Sequence, residues 1–254
     1  MKKITLIMSV ILIWGCSQAS EQAEVKEQVK AEVNAVKETV NSEVKEVTEE
    51  VAAKVSDVTQ AQAEFLPGVH YQVINPAWDT QSEDQVVVYE FFGYLCPHCA
   101  SFEPFMTKLK KDLPEQAKLV RVPVVFYPQW RPYAQAYYTF EAMDLVDKAH
   151  NAFFTAIHQH KKQFRSIEEI AEWTASSFNV DKAQFLSTAK SFMIDGQIRK
   201  GMQMMQAMGV SSTPSLITNG KYRPNSKALK SRGEVIEVTE YLVNLEVENM
   251  GLNK

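Results

Sequence analysis

The sequence predicts an α/β domain with an α-helical insertion, preceded by a long N-terminal segment that is helical or partly disordered. Three observations lead to this fold class. The run Val86–Phe92 is apolar and rich in β-branched residues, which is typical of a strand buried on both faces. A block with helical periodicity follows from about residue 128 to 208. The hairpin signal Asn219-Gly220 and an amphipathic helix come after that block.

Residues 1–16 have the pattern of an export signal. Lys2 and Lys3 supply a positive start, and residues 4–14 form an apolar stretch too short to span a bilayer. The following Ile-Trp-Gly-Cys, ending at Cys16, resembles the lipobox of bacterial lipoproteins, in which the cysteine becomes the lipid-modified first residue. The alternative is ordinary signal-peptidase cleavage after Ala19. Both routes predict an exported protein in an oxidising compartment.

Residues 17–63 are predicted to form a helical spacer or stalk. Ten valines recur at spacings of four, four and three, an eleven-residue period that keeps them on one stripe of a nearly straight helix. Valine is a mediocre helix former, so such a helix would be marginal in isolation. The stripe favours either a charged spacer or self-association of residues 21–60 into a parallel coiled coil. An acidic polar face argues against binding along a membrane surface.

The charge distribution gives no support for nucleic-acid binding. The formal net charge is −4, and residues 21–60 hold ten acidic residues against five lysines. The domain that follows is therefore nearly neutral, whereas nucleic-acid-binding domains carry a basic excess. Hydrophobic residues make up 45% of the chain, which is enough for a large core.

Apart from Cys16, the chain has two cysteines, Cys96 and Cys99. A disulfide between them would close a very small loop and so contribute little stability. Their spacing therefore favours redox chemistry over an inert structural disulfide. A zinc site is the other interpretation, but zinc takes four ligands and the chain has no second Cys-x-x-Cys. The sequence predicts a redox-active disulfide, with no bound cofactor and no metal.

Apolar periodicity and turn residues delimit the predicted elements from residue 64 onward. The cysteine pair lies where the strand Val86–Phe92 passes into a helix, which Pro104 is expected to kink. The other predicted elements are an edge strand at 71–74, a strand at 119–125, helices at 133–143, 148–160, 167–177 and 181–189, a hairpin at 215–223 and a last helix at 235–248. The order is strand, helix, strand, long helical block, helix, two hairpin strands and a final helix.

Several short motifs in this order resemble one family. They are Glu90-Phe91-Phe92, Cys96-Pro97-His98-Cys99, Phe102-Glu103, Thr213-Pro214 and Asn219-Gly220-Lys221-Tyr222. Together they resemble the bacterial DsbA proteins, which are periplasmic thiol–disulfide oxidoreductases of the thioredoxin superfamily. The resemblance covers about residues 64–248 and implies a thioredoxin domain at 64–254 with a helical insertion at about 128–208. It does not extend to residues 21–60.

The chemistry of the Cys-Pro-His-Cys motif follows from its place at a helix start. Cys96 precedes the first turn, where free backbone N–H groups and the helix dipole stabilise a thiolate. Pro97 is tolerated at the first helical position. His98 is predicted to tune the Cys96 sulfur with positive charge or a hydrogen bond. Cys99, further into the helix, is predicted to be the buried resolving thiol.

The resemblance adds three residues to the predicted site. It implies that Glu90, in the apolar strand, is an acid near Cys99 that moves protons; the alternative is a solvated acid at the strand end. It implies that Pro214 is cis and packs beside the motif. The backbone of Thr213 would then be exposed for pairing with a substrate peptide. The alternative is a trans proline at a strand start.

The predicted function is donation of a disulfide to newly exported proteins, with reoxidation by a membrane quinone reductase of the DsbB kind. One alternative is a disulfide isomerase or reductase assembled through the stalk. Another, of a different class, is a tethered peptide-binding chaperone. Four methionines between 202 and 208 are expected in the core, or else along a peptide groove. Trp130, Tyr133, Tyr137 and Tyr138 are expected in the core of the insertion, and His150, His158 and His160 at the surface.

Overall fold

The structure, a computed structural model, describes residues 65–253. The predicted export signal at 1–16, with Cys16, and the predicted spacer at 17–63 lie outside the described residues. Their helical structure, lipidation and self-association therefore stay predictions. Within the described range, no helix is long and apolar enough to cross a membrane.

The described chain has both strands and helices at its two ends, and helices alone in its middle. The elements are β1 (Tyr71–Val73), β2 (Val86–Phe92), α1 (Pro97–Ala100), α2 (Glu103–Asp112), β3 (Ala117–Pro123), a 3-10 turn (Pro128–Trp130), α3 (Arg131–Ala142), α4 (Val146–His158), α5 (Ile167–Phe178), α6 (Lys182–Ala189), α7 (Phe192–Ala207), β4 (Ser215–Thr218), β5 (Tyr222–Pro224) and α8 (Arg232–Asn249).

The strands form one mixed sheet in the order β1-β5-β4-β2-β3. The central strand β2 is parallel to β3 and antiparallel to β4. All seven residues of β2 are buried, as its apolar sequence predicts, because helices cover both of its faces. The pairing of Ser215 with Phe91 brings the start of β4 to the end of β2, where the cysteine motif begins.

Alternate residues of β2 enter two different cores. Val86 and Val88 lie in a cluster with residues of α2 and α8, namely Met106, Leu109, Ile236, Val243 and Val247. Val87, Tyr89 and Phe91 lie in a second cluster with Val122 of β3, Met204 of α7 and Met208, which follows α7. The sheet is therefore covered by the C-terminal helix on one side and by the end of the insertion on the other.

The helical insertion runs from the 3-10 turn to the end of α7 and has its own aromatic core. Phe140, Phe153 and Phe185 are fully buried in it. Tyr133, Tyr137 and Tyr138 are also buried and Trp130 packs against them, so the prediction for these four residues is confirmed. The thioredoxin fold with an inserted helical domain, as predicted, describes this architecture.

The helix predicted to precede the hairpin, for which the sequence gives no bounds, is α7; it is sixteen residues long and has Ser191 capping its first turn. One prediction about the insertion is wrong. His150 is predicted at the surface, but it is buried at 3% exposure because it lies on the inner face of α4 among aromatic rings. For the methionines, Met204 and Met208 are buried, which confirms core packing for these two.

Candidate active site

A tight junction joins the central strand to the motif helix. Gly93 follows β2 and packs against the Trp130 ring, where a Cβ atom would overlap the ring. The backbone N–H of Cys96 donates to the Gly93 carbonyl at 3.0 Å, closing the turn. The four-residue α1 then ends, and α2 begins at Glu103 with Pro104 in its first turn. The single helix predicted to kink at Pro104 is therefore interrupted just before that residue.

Cys96 caps the N-terminus of α1. Its backbone is extended, and its sulfur accepts a hydrogen bond from the Cys99 N–H at 3.4 Å. The hydrogen bond with the Cys99 thiol, followed by one with Thr213 and by those from the Cys99 and His98 backbones, lowers the pKa of Cys96 to about 5 against the opposing effect of burial. The residue is 8% exposed, so its sulfur is reachable but shielded. Cys96 has the properties of an attacking and leaving thiolate.

Cys99 has the opposite environment. It is fully buried, and the hydrogen bond to Cys96 together with burial raises its pKa well above the usual value. Neither sulfur is bonded to another cysteine in this structure. The two thiols of one motif are therefore differentiated, one held ready as a thiolate and the other held protonated.

Pro97 and His98 are exposed at the start of α1. Pro97 occupies the first helical position, as predicted. The backbone N–H of His98 helps to lower the pKa of Cys96, and its side chain lines the adjacent groove. In the described chain, no hydrogen bond joins the His98 ring to the Cys96 sulfur, so tuning by the ring stays a prediction.

The loop before β4 lies directly beside the motif. The Thr213–Pro214 peptide bond is cis, as predicted. The Thr213 carbonyl oxygen lies 3.4 Å from the Cys96 sulfur, although the two residues are 117 positions apart in the chain. The strand pairing of β4 with β2 produces this approach.

Glu90 belongs to a buried cluster of charged groups below the motif. Glu90 is fully buried, and its Oε2 accepts from Arg121 Nε at 2.8 Å. Arg121 also donates to Glu103 at 3.4 Å. The other Glu90 oxygen, Oε1, is buried and has no hydrogen-bond partner in the described chain. Burial raises the pKa of Glu90 to about 7 despite the Arg121 charge, so the solvated alternative is wrong.

The cluster continues into the helical insertion. His150 Nε2 lies 3.2 Å from Glu103 Oε1, and its Nδ1 lies 2.7 Å from the Tyr94 hydroxyl. Burial lowers the pKa of His150 to about 3, so this imidazole is neutral. A neutral ring that accepts from Tyr94 donates its single N–H to Glu103. Glu103 thus receives two donors, Arg121 and His150, and is the better stabilised carboxylate of the pair.

A groove opens between the motif and β5. It has a volume of about 470 Å³, in the range of ligand pockets. His98, Phe102 and the loop Ser211–Pro214 line one part of it, and residues of β5 and the start of α8 line the other. One of the lining residues is Thr213, whose carbonyl oxygen lies 3.4 Å from the Cys96 sulfur, so the groove adjoins the reactive thiol.

Known proteins share both the sequence and the fold. A family model described as Thioredoxin matches residues 80–237. The thiol:disulfide interchange protein DsbA of Pseudomonas aeruginosa PAO1 is 34% identical over 187 residues, covering 73% of this chain and 88% of that protein. This chain belongs to the DsbA family. The DsbA of Bordetella parapertussis is 36% identical over 152 residues, covering 60% of this chain and 72% of that one.

The three-dimensional comparison agrees. A crystal structure of P. aeruginosa DsbA matches with a TM-score of 0.70 and 32% identity, over 74% of this chain and 97% of that one. The predicted family and thioredoxin fold are therefore confirmed. Membership makes the protein a thiol–disulfide oxidoreductase, the activity that the DsbA name states for these relatives.

The structure brings most of the predicted residues of this DsbA-family site together and adds others. Cys96, Cys99 and the Thr213–Pro214 bond meet at the start of α1. Glu90 lies near the end of β2, six residues before Cys96, with no hydrogen bond to either sulfur in the described chain. Arg121, Glu103, His150 and Tyr94 were not predicted as site residues. Arg121 had a detectable signal, because a lone cation inside an apolar strand needs an anionic partner.

Proposed function

We propose that this protein is an exported, periplasmic disulfide donor that transfers a Cys96–Cys99 disulfide to newly exported proteins. The observation that carries the proposal is the hydrogen-bonded Cys96 sulfur at the start of α1, beside a buried Cys99. A stabilised thiolate stabilises the dithiol form, and the disulfide is then a strong oxidant. The two sulfurs exchange the electrons themselves, without another cofactor.

The transfer takes two exchange steps. A substrate thiolate attacks Cys96 Sγ, a bond forms between the two sulfurs, the Cys96–Cys99 bond breaks, and Cys99 leaves. A second substrate thiolate then attacks the substrate sulfur of this mixed disulfide, and Cys96 leaves as the stabilised thiolate. Two electrons pass from the substrate to the enzyme. Attack by Cys99 on the mixed disulfide instead releases the substrate unchanged.

The leaving sulfur of Cys99 needs a proton, because its pKa is raised. Glu90, with a pKa of about 7 and an unpartnered oxygen, is the proposed source, in line with the role that the family resemblance implies. The Thr213 backbone beside Cys96 is proposed to pair with the substrate chain. Pro214, which lines the groove, is proposed to contact the same substrate segment.

Continued turnover requires reoxidation of the dithiol. We assign this step to a DsbB-like membrane quinone reductase, which accepts the two electrons and passes them to quinone. Lipid anchoring through Cys16 would keep the domain near such a membrane partner. Both statements rest on the family and on the sequence before residue 65.

The redox potential of the Cys96–Cys99 pair tests the proposal. Equilibration with glutathione buffers should give a potential more oxidising than that of thioredoxin, which is about −270 mV. A potential at or below that value would contradict a disulfide donor. Thiol titration of a reduced test protein should show oxidation by the disulfide form of the wild type and none by Cys96→Ser or Cys99→Ser, because neither variant can form the Cys96–Cys99 disulfide.

The same variant separates this function from a peptide-binding chaperone. A chaperone that does not use its thiols would prevent aggregation equally well as wild type and as Cys96→Ser. Suppression of aggregation is measured by light scattering of a chemically denatured test protein without cysteines. Full suppression by both forms, with no thiol oxidation by the wild type, would support the chaperone.

A further inference from the structure

The groove beside Cys96 has a one-sided charge. Its lining includes Arg223, Lys227 and Arg232, and no aspartate or glutamate is among the lining residues. We propose that this groove selects substrate segments that carry a carboxylate side chain close to the reacting cysteine. The inference rests on the proposed function, because it names the class of peptide that the same site receives.

The three cations have no anion within the described chain. No ion pair between residues 65 and 253 includes Arg223, Lys227 or Arg232. By contrast, Arg121 on β3 and Lys221 in the β4–β5 turn each pair with a buried glutamate. The positive charge of the groove is therefore uncompensated from within, and an incoming carboxylate would compensate it.

Arg223 is the least exposed of the three cations. It lies on β5, and its guanidinium donates to the Met208 carbonyl oxygen. Its Nε is buried without an acceptor in the described residues, and burial lowers its pKa. A partly desolvated guanidinium attracts a carboxylate more strongly than a solvated one does, because the surrounding dielectric is lower.

Arg232 occupies a position that local helix stability disfavours. It is the first residue of α8, where the positive end of the helix dipole repels a cation. Its guanidinium donates to the Ser101 carbonyl at 3.1 Å, which holds it across the groove from the motif helix. The cation and the helix N-terminus thus add to the same positive potential at the groove wall.

The position of the Thr213 backbone sets where the carboxylate would lie. A substrate chain whose cysteine reaches Cys96 would run past Thr213, since the Cys96 sulfur and the Thr213 carbonyl oxygen are 3.4 Å apart. An extended chain advances about 3.3 Å per residue, so side chains two or three residues from the cysteine fall within the groove. Arg–carboxylate pairs are also charge-assisted and geometrically specific.

The test uses the full exported chain in its disulfide form and three matched peptides. Each peptide has two cysteines, and the positions two and three residues from the first are Glu, Gln or Lys. Oxidation rates are measured by acid quench and chromatography, and affinities by fluorescence anisotropy on copies with serine at both cysteines. The Glu peptide should bind and react about fivefold better than the Lys peptide at low salt. The ratio should approach one at 1 M salt, where charges are screened.

A matched pair of variants locates the effect. Lys227→Gln/Arg232→Gln removes two groove charges and should reduce the Glu-to-Lys ratio below about twofold in both measurements. Lys118→Gln/Lys200→Gln removes two exposed cations that line a different cavity, and should keep the ratio. Both double variants change the net charge equally, so a general field effect would alter the two ratios alike.

Three results would overturn the inference. Equal binding and oxidation of the three peptides would show no selection by charge. Equal loss in both double variants would assign the effect to overall charge. An increase in binding of every peptide by the groove variant would show that an acidic segment of the chain itself occupies the groove. If no peptide is oxidised but the Glu peptide still binds best, the proposed function fails and the carboxylate preference stands.

Discussion

At the level of single residues, the sulfur of Cys96 caps a helix N-terminus in the same way as serine and aspartate oxygens do elsewhere in this chain. Ser166, Asp181, Ser191 and Ser231 each cap a helix by accepting the N–H three residues on. Cys96 makes the same contact with the Cys99 N–H. An N-cap favours negative charge on its side chain, and a thiol, unlike a serine hydroxyl, can ionise near neutral pH. The N-cap position, which is structural in the other helices, here stabilises a reactive thiolate.

The thiolate of Cys96 gives the first prediction. In the reduced protein, absorbance at 240 nm should report a titration midpoint near pH 5, because hydrogen bonds with Cys99 lower the pKa of Cys96. Cys99→Ala should raise that midpoint, since the largest stabilising contact is removed. Cys99→Ser, which retains a donor, should lie between the two. A wild-type midpoint near the ordinary thiol value would contradict this account.

Glu90 gives the second prediction, in the pH dependence of stability. Its folded pKa is about 7 against an ordinary value of 4.5, so the folded state holds this proton more tightly than the unfolded state. The stabilisation is present below pH 4.5 and is lost as pH rises through 7. Relative to Glu90→Gln, the free energy of unfolding of the wild type should fall by about 3 kcal/mol across that range.

Urea unfolding at a series of pH values checks the second prediction. The protein is kept in its disulfide form, so that Cys96 does not titrate. Exposed Glu237→Gln is the control, and it should follow the wild type at every pH. A constant difference between wild type and Glu90→Gln would mean that Glu90 has the same pKa in both states.

Single residues were predictable where their role is local, and not where it depends on distant contacts. The motif Cys96–Cys99 and the N-cap position follow from neighbours in the sequence. The partner of Glu90 follows from strand register, and that of His150 from helix packing. The sequence does not tell whether a histidine in an amphipathic helix with aromatic neighbours lies on the buried or the exposed face. The prediction that His150 lies at the surface was therefore wrong.

At the level of strands and helices, register explains the buried ion cluster better than composition does. Glu90 on β2 lies directly opposite Arg121 on β3, so one parallel pairing places both charges in the same layer. The sequence predicted both strands, with β3 displaced by two residues. It predicted neither the pairing nor the register, because these depend on how the whole sheet assembles.

The β4–β5 turn gives the third prediction. Asn219 and Gly220 both have positive φ, at 51° and 67°, and Lys221 N–H donates to Thr218 at 2.9 Å, as the Asn-Gly hairpin signal predicts. A Cβ at Gly220 would overlap the Trp78 backbone. Gly220→Ala should therefore lower the free energy of unfolding by more than about 2 kcal/mol.

A glycine with the same backbone constraint and free space is the control for Gly220. Gly68 has φ of 79°, and no heavy atom lies within 4 Å of the place that a Cβ would take. Gly68→Ala should therefore lose only about 1 kcal/mol from backbone strain. Urea denaturation of both variants gives the comparison. Equal losses would show that the approach of Trp78 does not matter.

At the level of the whole domain, the helical insertion makes direct contacts with the residues that flank the Cys96–Cys99 motif. His150 and His158 on α4 bond to Glu103 and to the Tyr94 carbonyl, on both sides of the motif. The order of elements was enough to predict the insertion, since helices interrupt a strand pattern. The contacts across it were not predictable, because they join residues 47 and 64 positions apart in the chain.

The last prediction concerns the oligomeric state, which separates the disulfide donor from the stalk-assembled isomerase. If residues 17–63 are a spacer, sedimentation equilibrium should give one chain per particle for both the chain from residue 17 and the chain from residue 65. A parallel stalk would instead give an oligomer that becomes a monomer when the segment is removed. A charged substitution in the valine stripe, Val40→Asp, would dissociate such an oligomer, because it places a charge within the shared apolar seam. An oligomer sensitive to Val40→Asp, together with isomerase activity lost on its dissociation, would overturn the donor in favour of the isomerase. If both chains are monomers, the stalk-assembled isomerase is excluded. The direction of electron transfer then depends on the Cys96 thiolate alone.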